Sequence, residues 1–563
     1  KPIDSTEITT QLRRLPKNTA PGPDGIRAEE LHAIRAPDLA CLFNIFLLHG
    51  DVPSALKVNK TTMIPKCENP AVGDWRPITV ASIVDRLFAK VLEARLSRAV
   101  RLDANQRGFM QSLDGCGENI TAYSGALRYS RTTSNPLVIV SIDLAKAFDS
   151  VKYSTIKRAL SRLGVDERSV NLLMNLCHGH TTIIKHKDGS ESVELRKGVR
   201  QGWPLSPVLF LCVVDELLCQ LNPADGFQVK SPSLEKATLT GLAFADDVIL
   251  YSSNRHGMQK HLDKVVSWCS DRGMRINPSK STVLHLRRAP KTKRVLLAPL
   301  EFSIDGVQIP QVSDSFERVL GVHMHHTGKV NHGFDSFDRD LELVCNSKLR
   351  PTQKVSMIKN CLIPMIKYRL VYGFANGMAL TQVDKVVRKA IRRAYHLPQY
   401  LMSEVMHAPT SQGGLGIPKL AESVPIAQAR LTNRMLSSSN ASTRILADTR
   451  SQQQLSRSHS DFIGAQRIDG ALLESLQKHL QDQRTSKFLN SVQGAGWSLF
   501  TKAPRLVLDN PRSRRWTERD AIDYTKMRAN VLMTRELTAR TVDRVQNIDV
   551  SCRGCKSAVE TQI

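Results

Sequence analysis

Leu242-Ala243-Phe244-Ala245-Asp246-Asp247-Val248-Ile249-Leu250 decides how this chain is read. Two adjacent acids stand between apolar runs of strand length, which predicts a hairpin with carboxylates at its tip. Charges held between buried strands must be neutralised or they would not ionise, and a metal ion is the natural partner. Leu137-Val138-Ile139-Val140-Ser141-Ile142-Asp143 is a second apolar run closing on an acid. Alternation puts Leu137, Ile139, Ser141 and Asp143 on one face. Side by side in one sheet, Asp143, Asp246 and Asp247 form an oxygen-rich site suited to Mg²⁺, which prefers a few carboxylates plus substrate phosphates. Two-metal phosphoryl transfer requires such a donor set.

Composition supports a polyanion as partner. The 563 residues carry a formal net charge of +26, and such an excess draws a polyanion and releases its counterions on binding. A merely adhesive basic surface or an anionic membrane surface is the blander alternative. A hydrophobic share of 41% and a charged share of 23% describe a globular protein with ample core. No apolar run approaches the roughly 20 residues of a membrane helix, since Val208 to Leu218 is broken by Asp215 and Glu216. Lys1-Pro2-Ile3-Asp4 shows no basic-then-apolar leader, so no secretory signal is expected. All cysteines except Cys552 and Cys555 are scattered singly, and Cys212, Cys219 and Cys269 read as small core residues in a reducing compartment.

Around the acids the chain alternates helical and strand signals. Asp4 and Glu7 stand at capping spacing before a helix that ends near Pro16. Thr62 to Lys66 and Asp74 to Ile78 predict a hairpin, from which Lys66 and Arg76 would project together toward a triphosphate. Asp188-Gly189 marks another hairpin. Gln201 and Gly202 lie in a loop whose glycines let backbone approach a ligand closely, and Ser206-Pro207 reads as an N-cap followed by proline in the first helical turn. Arg287 to Arg294 is expected to be a mobile basic loop, and Ser437 to Ser460 a flexible or extended connector. Leu472, Leu476 and Leu480 mark one later helix, and Trp516 to Val545 another helical region.

In this order the set resembles the reverse transcriptase core of a non-LTR retrotransposon. Ala20-Pro21-Gly22-Pro23-Asp24-Gly25 looks like the family's leading fingers motif, followed by Ile64-Pro65-Lys66 and Arg76-Pro77-Ile78. Ser141-Ile142-Asp143-Leu144-Ala145-Lys146-Ala147-Phe148-Asp149 is similar to motif A, and Gln201-Gly202-Trp203-Pro204-Leu205-Ser206-Pro207 to motif B. Phe244 to Asp247 matches motif C, Gly273 to Lys280 motif D, and Val319 to Val322 motif E. Elements in that order leave chance agreement negligible, whereas a lone Asp-Asp pair would carry almost nothing. Thr352 to Phe374, Gln412 to Pro418 and Cys552-Arg553-Gly554-Cys555 resemble the class with a restriction-like endonuclease that inserts into ribosomal RNA genes.

The resemblance implies an α+β right hand with a C-terminal helical linker: fingers, a palm of antiparallel sheet, and a helical thumb. The expected segments are 1–135 for an N-terminal extension and fingers, 136–315 for the palm with part of the fingers, 316–430 for the thumb, 431–551 for the helical linker, and 552–563 for the start of a truncated zinc knuckle. Asp143 and Asp246 would ligate two Mg²⁺ ions, with Asp247 assisting and the Leu144 carbonyl as a further oxygen. Phe148 would lie beneath the incoming sugar and exclude a 2′-hydroxyl; its alternative is core packing. Gln201 and Gly202 would contact nucleotide and template, Lys66 and Arg76 the triphosphate, and Lys280 would protonate pyrophosphate. Lys385, Arg388, Lys389, Arg392 and Arg393 form a basic helix face expected to follow the template-primer backbone. Cys552 and Cys555 would open a knuckle binding Zn²⁺ where its remaining ligands are present.

The expected activity is RNA-directed DNA synthesis from a 3′-hydroxyl primer, by target-primed reverse transcription in the nucleus after synthesis in the cytoplasm. Its partners would be element RNA, a DNA primer or target DNA, and dNTPs, with no membrane. A non-catalytic, domesticated RNA-binding scaffold is the alternative, and the three acids argue against it. RNA-directed RNA synthesis is a third, which Phe148 disfavours.

Overall fold

The Asp4 carboxylate accepts from the backbone N–H groups of Thr6 and Glu7, and the Glu7 side chain returns to the Asp4 N–H. This capping box satisfies orphan donors and starts α1 (Ser5–Arg13) where sequence spacing places it. The computed structural model describes residues 1–491 and Ile522, apart from 72, 111–112, 187, 233–234, 291–293, 411–413 and 465. Cys552 and Cys555 lie outside the described residues, as does the region from Trp516 to Val545 except Ile522.

After α1 come α2 (Ala28–Ala33), α3 (Ala36–His49), β1 (Val58–Pro65), β2 (Trp75–Val80), α4 (Ile83–Ala99) and α5 (Gly115–Thr133). β3 (Leu137–Ala145) leads into α6 (Ala147–Ser150), α7 (Tyr153–Arg162), α8 (Glu167–Asn175), β4 (His180–His186) and β5 (Gly189–Leu195). Then follow α9 (Ser206–Cys219), β6 (Phe227–Lys230), β7 (Lys236–Leu239), β8 (Gly241–Phe244), β9 (Asp247–Ser252) and α10 (Arg255–Arg272). β10 (Arg275–Ile276), β11 (Thr282–Arg288), β12 (Val295–Leu297), β13 (Ser303–Ile304) and β14 (Val307–Gln308) close this part of the α+β fold.

The chain divides into two units. Lys1–Ser315 groups with Ser438–Leu446, and Phe316–Ser437 with the described residues from Ala447 onward.

In the first unit, β3 is central in a sheet of order β12-β11-β3-β9-β8, with β10 also pairing β3. A second sheet, β2-β1-β4-β5, carries the hairpin of Lys66 and Arg76 at one edge. Val138, Val140, Ile142 and Leu144 turn one face of β3 into the main core, together with Val248 and Leu250 of β9. Leu137 and Ile139 are also buried on the opposite face, which explains the unbroken apolar run, and burial relaxes on that face at Ser141 and Asp143. The acid therefore stands where an otherwise buried strand emerges.

Several local expectations are corrected. Leu205 already has helical angles (φ −76°, ψ −22°) and takes the N-cap position of α9, so Ser206 is the first helical residue and Pro207 the second. Cys212 and Cys269 are buried, but Cys219 is exposed in the last turn of α9. Arg287 and Arg288 belong to β11, where Arg288 pairs with Val295, so this part of the expected mobile loop is strand.

The second unit begins with β15 (Phe316–Val319), β16 (Val322–His325) and β17 (Val330–Asn331), whose first hairpin pairs Val319 with Val322. Helices α11 (Phe334–Asn346), α12 (Pro351–Met357), α13 (Ile363–Tyr372), α14 (Gly377–Ala394), α15 (Ser403–His407) and α16 (Leu420–Leu436) follow. α14 buries Val383, Val387 and Ile391, while its buried Asp384 accepts from the N–H groups of Leu420 and Ala421 and so caps α16. The stretch expected to be a connector instead forms α17 (Ala441–Leu446) and α18 (Arg450–Ser458), because Leu446 and Leu455 find buried positions among the polar residues. α19 (Ser460–Ile463) and α20 (Gly470–Leu489) follow. Among the described residues no helix is long and apolar enough to cross a membrane.

Candidate active site

β8 and β9 pair Phe244 with Asp247, leaving Ala245 and Asp246 as a two-residue hairpin loop. Ala245 is buried with φ +57°, a conformation unfavourable for a residue with a Cβ and typical of functional turns.

The acids meet through strand register. β3 and β9 pair Asp143 with Asp247. On the other edge of β3, the Asp143 carbonyl accepts from Asn277 N–H at 2.8 Å and the Asp143 N–H donates to the Ser281 hydroxyl at 3.2 Å. Both backbone polar groups of Asp143 are thus directed away from β9. Asp143 and Asp247 consequently form a non-hydrogen-bonded pair, for which Cα atoms are about 4.5 Å apart and side chains share one face. The same alternation turns the Leu144 carbonyl toward β9.

Asp246 presents exposed surface at the hairpin tip, yet its carboxyl is pushed above the ordinary value, first by desolvation and then by the negative charge of Asp143, with Arg76 opposing. Mutually repelling carboxylates that a fold holds together suit a divalent cation, so this donor set fits Mg²⁺.

Other predicted residues gather around this centre. Lys66 and Arg76 lie near the end of the β1–β2 hairpin, where Ile64 pairs with Arg76 and Lys66 N–H bonds the Asp74 carbonyl at 2.8 Å. Desolvation raises the Asp246 and Asp149 carboxyls, and the charges of Arg76 and Lys66 respectively oppose that rise. The Lys66 ammonium also donates to the Gly73 carbonyl at 3.3 Å. Phe148 is half-buried, with its ring stacked on Phe210 at 4.6 Å and 20°. Lys280 is exposed and ends the turn that begins at Asn277, the residue bonded to Asp143.

Gln201 is held from both ends. Its side-chain amide donates to Asp149 at 3.0 Å, and its carbonyl accepts from Thr79 N–H at 2.8 Å. Desolvation pushes the Asp149 carboxyl up, and the Gln201 bond opposes this. Gly202 has φ +106°, and a Cβ there would sit 2.6 Å from the Thr79 carbonyl oxygen. Glycine is therefore required by both conformation and approach.

Two supports were not assigned from sequence. Behind Gln201, buried Arg200 lies 3.5 Å from Asp85 and 3.9 Å from the Trp203 ring centre. Trp203 Nε1 donates to Asp85 at 3.0 Å, and Arg200 donates to His180 Nδ1 at 2.9 Å. Burial pushes the Asp85 carboxyl up and the guanidinium down, each offset by the other's charge. Separately, Asn105–Phe109 forms a strap along the open edge of β8. Ala243 N–H donates to the Asn105 carbonyl at 2.9 Å, Arg107 N–H donates to the Ala243 carbonyl at 3.0 Å, and Phe109 packs 5.9 Å from Phe244. A Cβ on Gly108 would come within 2.4 Å of the Ala245 nitrogen. A glycine beside an aromatic residue was the available sequence sign, and it says nothing of which strand is approached.

On α14, Lys385 and Lys389 are exposed and Arg388 is half-buried. Arg392 donates to the Leu401 carbonyl at 2.8 Å and Arg393 to Asn346 at 2.5 Å, so these two also serve the unit's own packing.

The profile of the reverse transcriptase (RNA-dependent DNA polymerase) family matches residues 60–324. A retrovirus-related Pol polyprotein from the type-2 retrotransposable element R2DM of Drosophila melanogaster is 28% identical over 99% of this chain and 52% of its own length. One from the type-1 retrotransposable element R2 of Popillia japonica is 34% identical over 76% of this chain and 59% of its own length. The chain thus spans between about half and three fifths of these two relatives. Among solved structures, telomerase from Candida tropicalis bound to a fragment of telomeric RNA aligns at TM-score 0.38 and 14% identity, over 78% of this chain and 67% of that one. With the ordered motifs and the carboxylate hairpin in place, residues 60–324 are a reverse transcriptase domain, in a chain similar along most of its length to the Pol polyproteins of R2 retrotransposable elements.

Proposed function

We propose that this chain is the polymerase part of a retrotransposon protein, copying the element's RNA into DNA from a 3′-hydroxyl primer that nicked target DNA supplies. One observation carries the reading: Asp143 and Asp247 are opposed across β3 and β9, with Asp246 at the hairpin tip feeling the charge of Asp143.

Mg²⁺ ions held by Asp143, Asp246, Asp247 and the Leu144 carbonyl would supply charge neutralisation at the primer hydroxyl and the triphosphate. Arg76 and Lys66 draw the triphosphate toward the acids and offset its charge. Gln201, fixed by Asp149 and Thr79, presents a rigid polar edge to the nascent base pair. Phe148, braced by Phe210, walls the sugar site against a 2′-hydroxyl. Lys280 stands on the turn tied to Asp143, as proton donor to leaving pyrophosphate. The α14 face of Lys385, Arg388 and Lys389, with the remaining donors of Arg392 and Arg393, follows the nucleic-acid backbone. Element RNA, target DNA and dNTPs are the partners and the nucleus the place of action. Zn²⁺ at Cys552 and Cys555 belongs to the same proposal where a parent protein completes the knuckle with its remaining ligands.

Extension of a DNA primer annealed to RNA, with dNTPs and Mg²⁺, tests this. Full-length product is expected. RNA binding without any extension under those conditions would favour the scaffold reading instead.

A further inference from the structure

Residues 438–446 belong to the first unit although the chain on either side of them belongs to the second. They also lie outside the family match, which ends at residue 324. Their polar groups converge on the strap that edges the motif C hairpin. Asn440 Nδ2 donates to Asn105 Oδ1 at 2.9 Å, and the Asn105 carbonyl is the acceptor of Ala243 N–H. The Arg107 guanidinium donates to the Thr443 hydroxyl and lies 3.6 Å from Glu118, while Arg107 N–H bonds the Ala243 carbonyl. Asn119 Nδ2 donates to the same carbonyl at 3.2 Å.

Arg107, Glu118 and Thr443 are all buried. A desolvated guanidinium keeps a fixed place only while its partners are present, so Thr443 helps decide where the strap sits. Asn440 Oδ1 meanwhile accepts from the N–H groups of Ser442 and Thr443, capping α17 and fixing the hydroxyl's position. The Leu446 carbonyl accepts from Arg128 at 3.1 Å and packs against Gly125, anchoring the other end of α17 on α5.

We propose that Asn440 and Thr443 are positioning residues for polymerisation. They hold Asn105 and Arg107, these hold both backbone polar groups of Ala243, and Ala243 leads directly into the turn that presents Asp246. Neither residue touches substrate. The effect on catalysis rests on the polymerase reading above, whereas the effect on the hairpin does not.

Asn440→Asp is the discriminating variant: it keeps the oxygen that caps α17 and puts a charged acceptor where Asn440 donated to the Asn105 amide oxygen. Thr443→Val removes the hydroxyl at constant size, and Thr443→Ser restores it. In the full chain, Asn440→Asp and Thr443→Val should lower kcat for primer extension about tenfold, as expected for a shift of a fraction of an ångström where a full ångström can cost about a hundredfold, with dNTP KM and RNA affinity unchanged. Amide hydrogen exchange over Gly241–Val248 should quicken in both while that of α10 stays as in wild type. Thr443→Ser should match wild type in both measurements. If wild type extends primers and kcat in Asn440→Asp is unaltered, or exchange at the hairpin is unaltered, the proposal is overturned. A uniform rise in exchange across the unit would also overturn it, by making the contacts general packing. If wild type itself does not extend primers, the polymerase reading is what has failed, and the exchange result still reports on the hairpin.

Discussion

Asp143 and Asp247 stand directly opposite each other in adjacent antiparallel strands, at a position where cross-strand side chains come closest. Like charges so placed oppose folding, and Asp246 adds a third carboxyl whose pKa is raised by desolvation and by Asp143.

The sign of that cost is fixed. For a carboxyl raised in the folded state, stability is fully present below the unfolded value of about 3.8 and is lost as pH rises through the folded value. In metal-free buffer at neutral pH, Asp246→Asn should therefore melt higher than wild type, and the gain should vanish in strong acid. Added Mg²⁺ should stabilise wild type more than the variant. Thermal melting with and without Mg²⁺ checks this, and a lower melting point for metal-free Asp246→Asn would count against the carboxylate cluster.

His180 provides a pH dependence of opposite form. Burial, then the charge of Arg200, hold its pKa down to about 3 from the usual 6.5. Its Nδ1 accepts from Arg200 and Asn59, and Nε2 lies 2.9 Å from the Leu176 carbonyl, an arrangement that suits the neutral Nε2–H ring. Its contribution is present above pH 6.5 and is lost as pH falls toward 3, at about 1.4 kcal/mol per pH unit. Denaturant titrations should show wild type losing roughly 2 kcal/mol more than His180→Gln between pH 6.5 and about 5. Parallel pH slopes would remove His180 from that role.

Phe148 is partly core and partly exposed, so two outcomes can be separated. Phe148→Ala should raise ribonucleotide incorporation relative to deoxynucleotide and destabilise the first unit by about 1–3 kcal/mol through loss of the Phe210 stack. Single-nucleotide insertion kinetics with rNTP and dNTP substrates measure the first effect. Destabilisation without a change in selectivity would leave Phe148 as packing alone.

The basic face of α14 should act through phosphate charge. Replacing Lys385, Arg388 and Lys389 by glutamine should weaken RNA–DNA duplex binding about equally for all sequences and flatten its salt dependence by about one unit of slope per lost contact. Arg392→Ala should cost stability as well, because its guanidinium bonds the Leu401 carbonyl. Titration of duplex at several salt concentrations decides, and an unchanged slope would return this face to the solvent.

The acids, their strands and the order of the motifs were legible because each depends on local pattern: apolar runs ending in Asp143 and flanking Asp246 admit few alternatives. Cap details were less so: Ser206 suits an N-cap, yet Leu205 takes that position with helical angles and no side-chain cap bond, so α9 starts one residue before the serine marks it. The Asn105–Phe109 strap, the Arg200–Asp85 pair and α17 could not be read this way. Each is defined by a partner distant in sequence, and the polar composition around Asn440 and Thr443 suggests a connector until Arg107 and Asn105 are placed beside it.

The most direct measurement is single-turnover primer extension by Asp143→Asn and Asp246→Asn in Mg²⁺, with RNA affinity determined on the same preparations. Both variants should bind RNA as wild type does and add nucleotides at least 10³-fold more slowly, about 4 kcal/mol of barrier. Extension by either variant at a substantial fraction of the wild-type rate would contradict a shared carboxylate centre for nucleotide transfer.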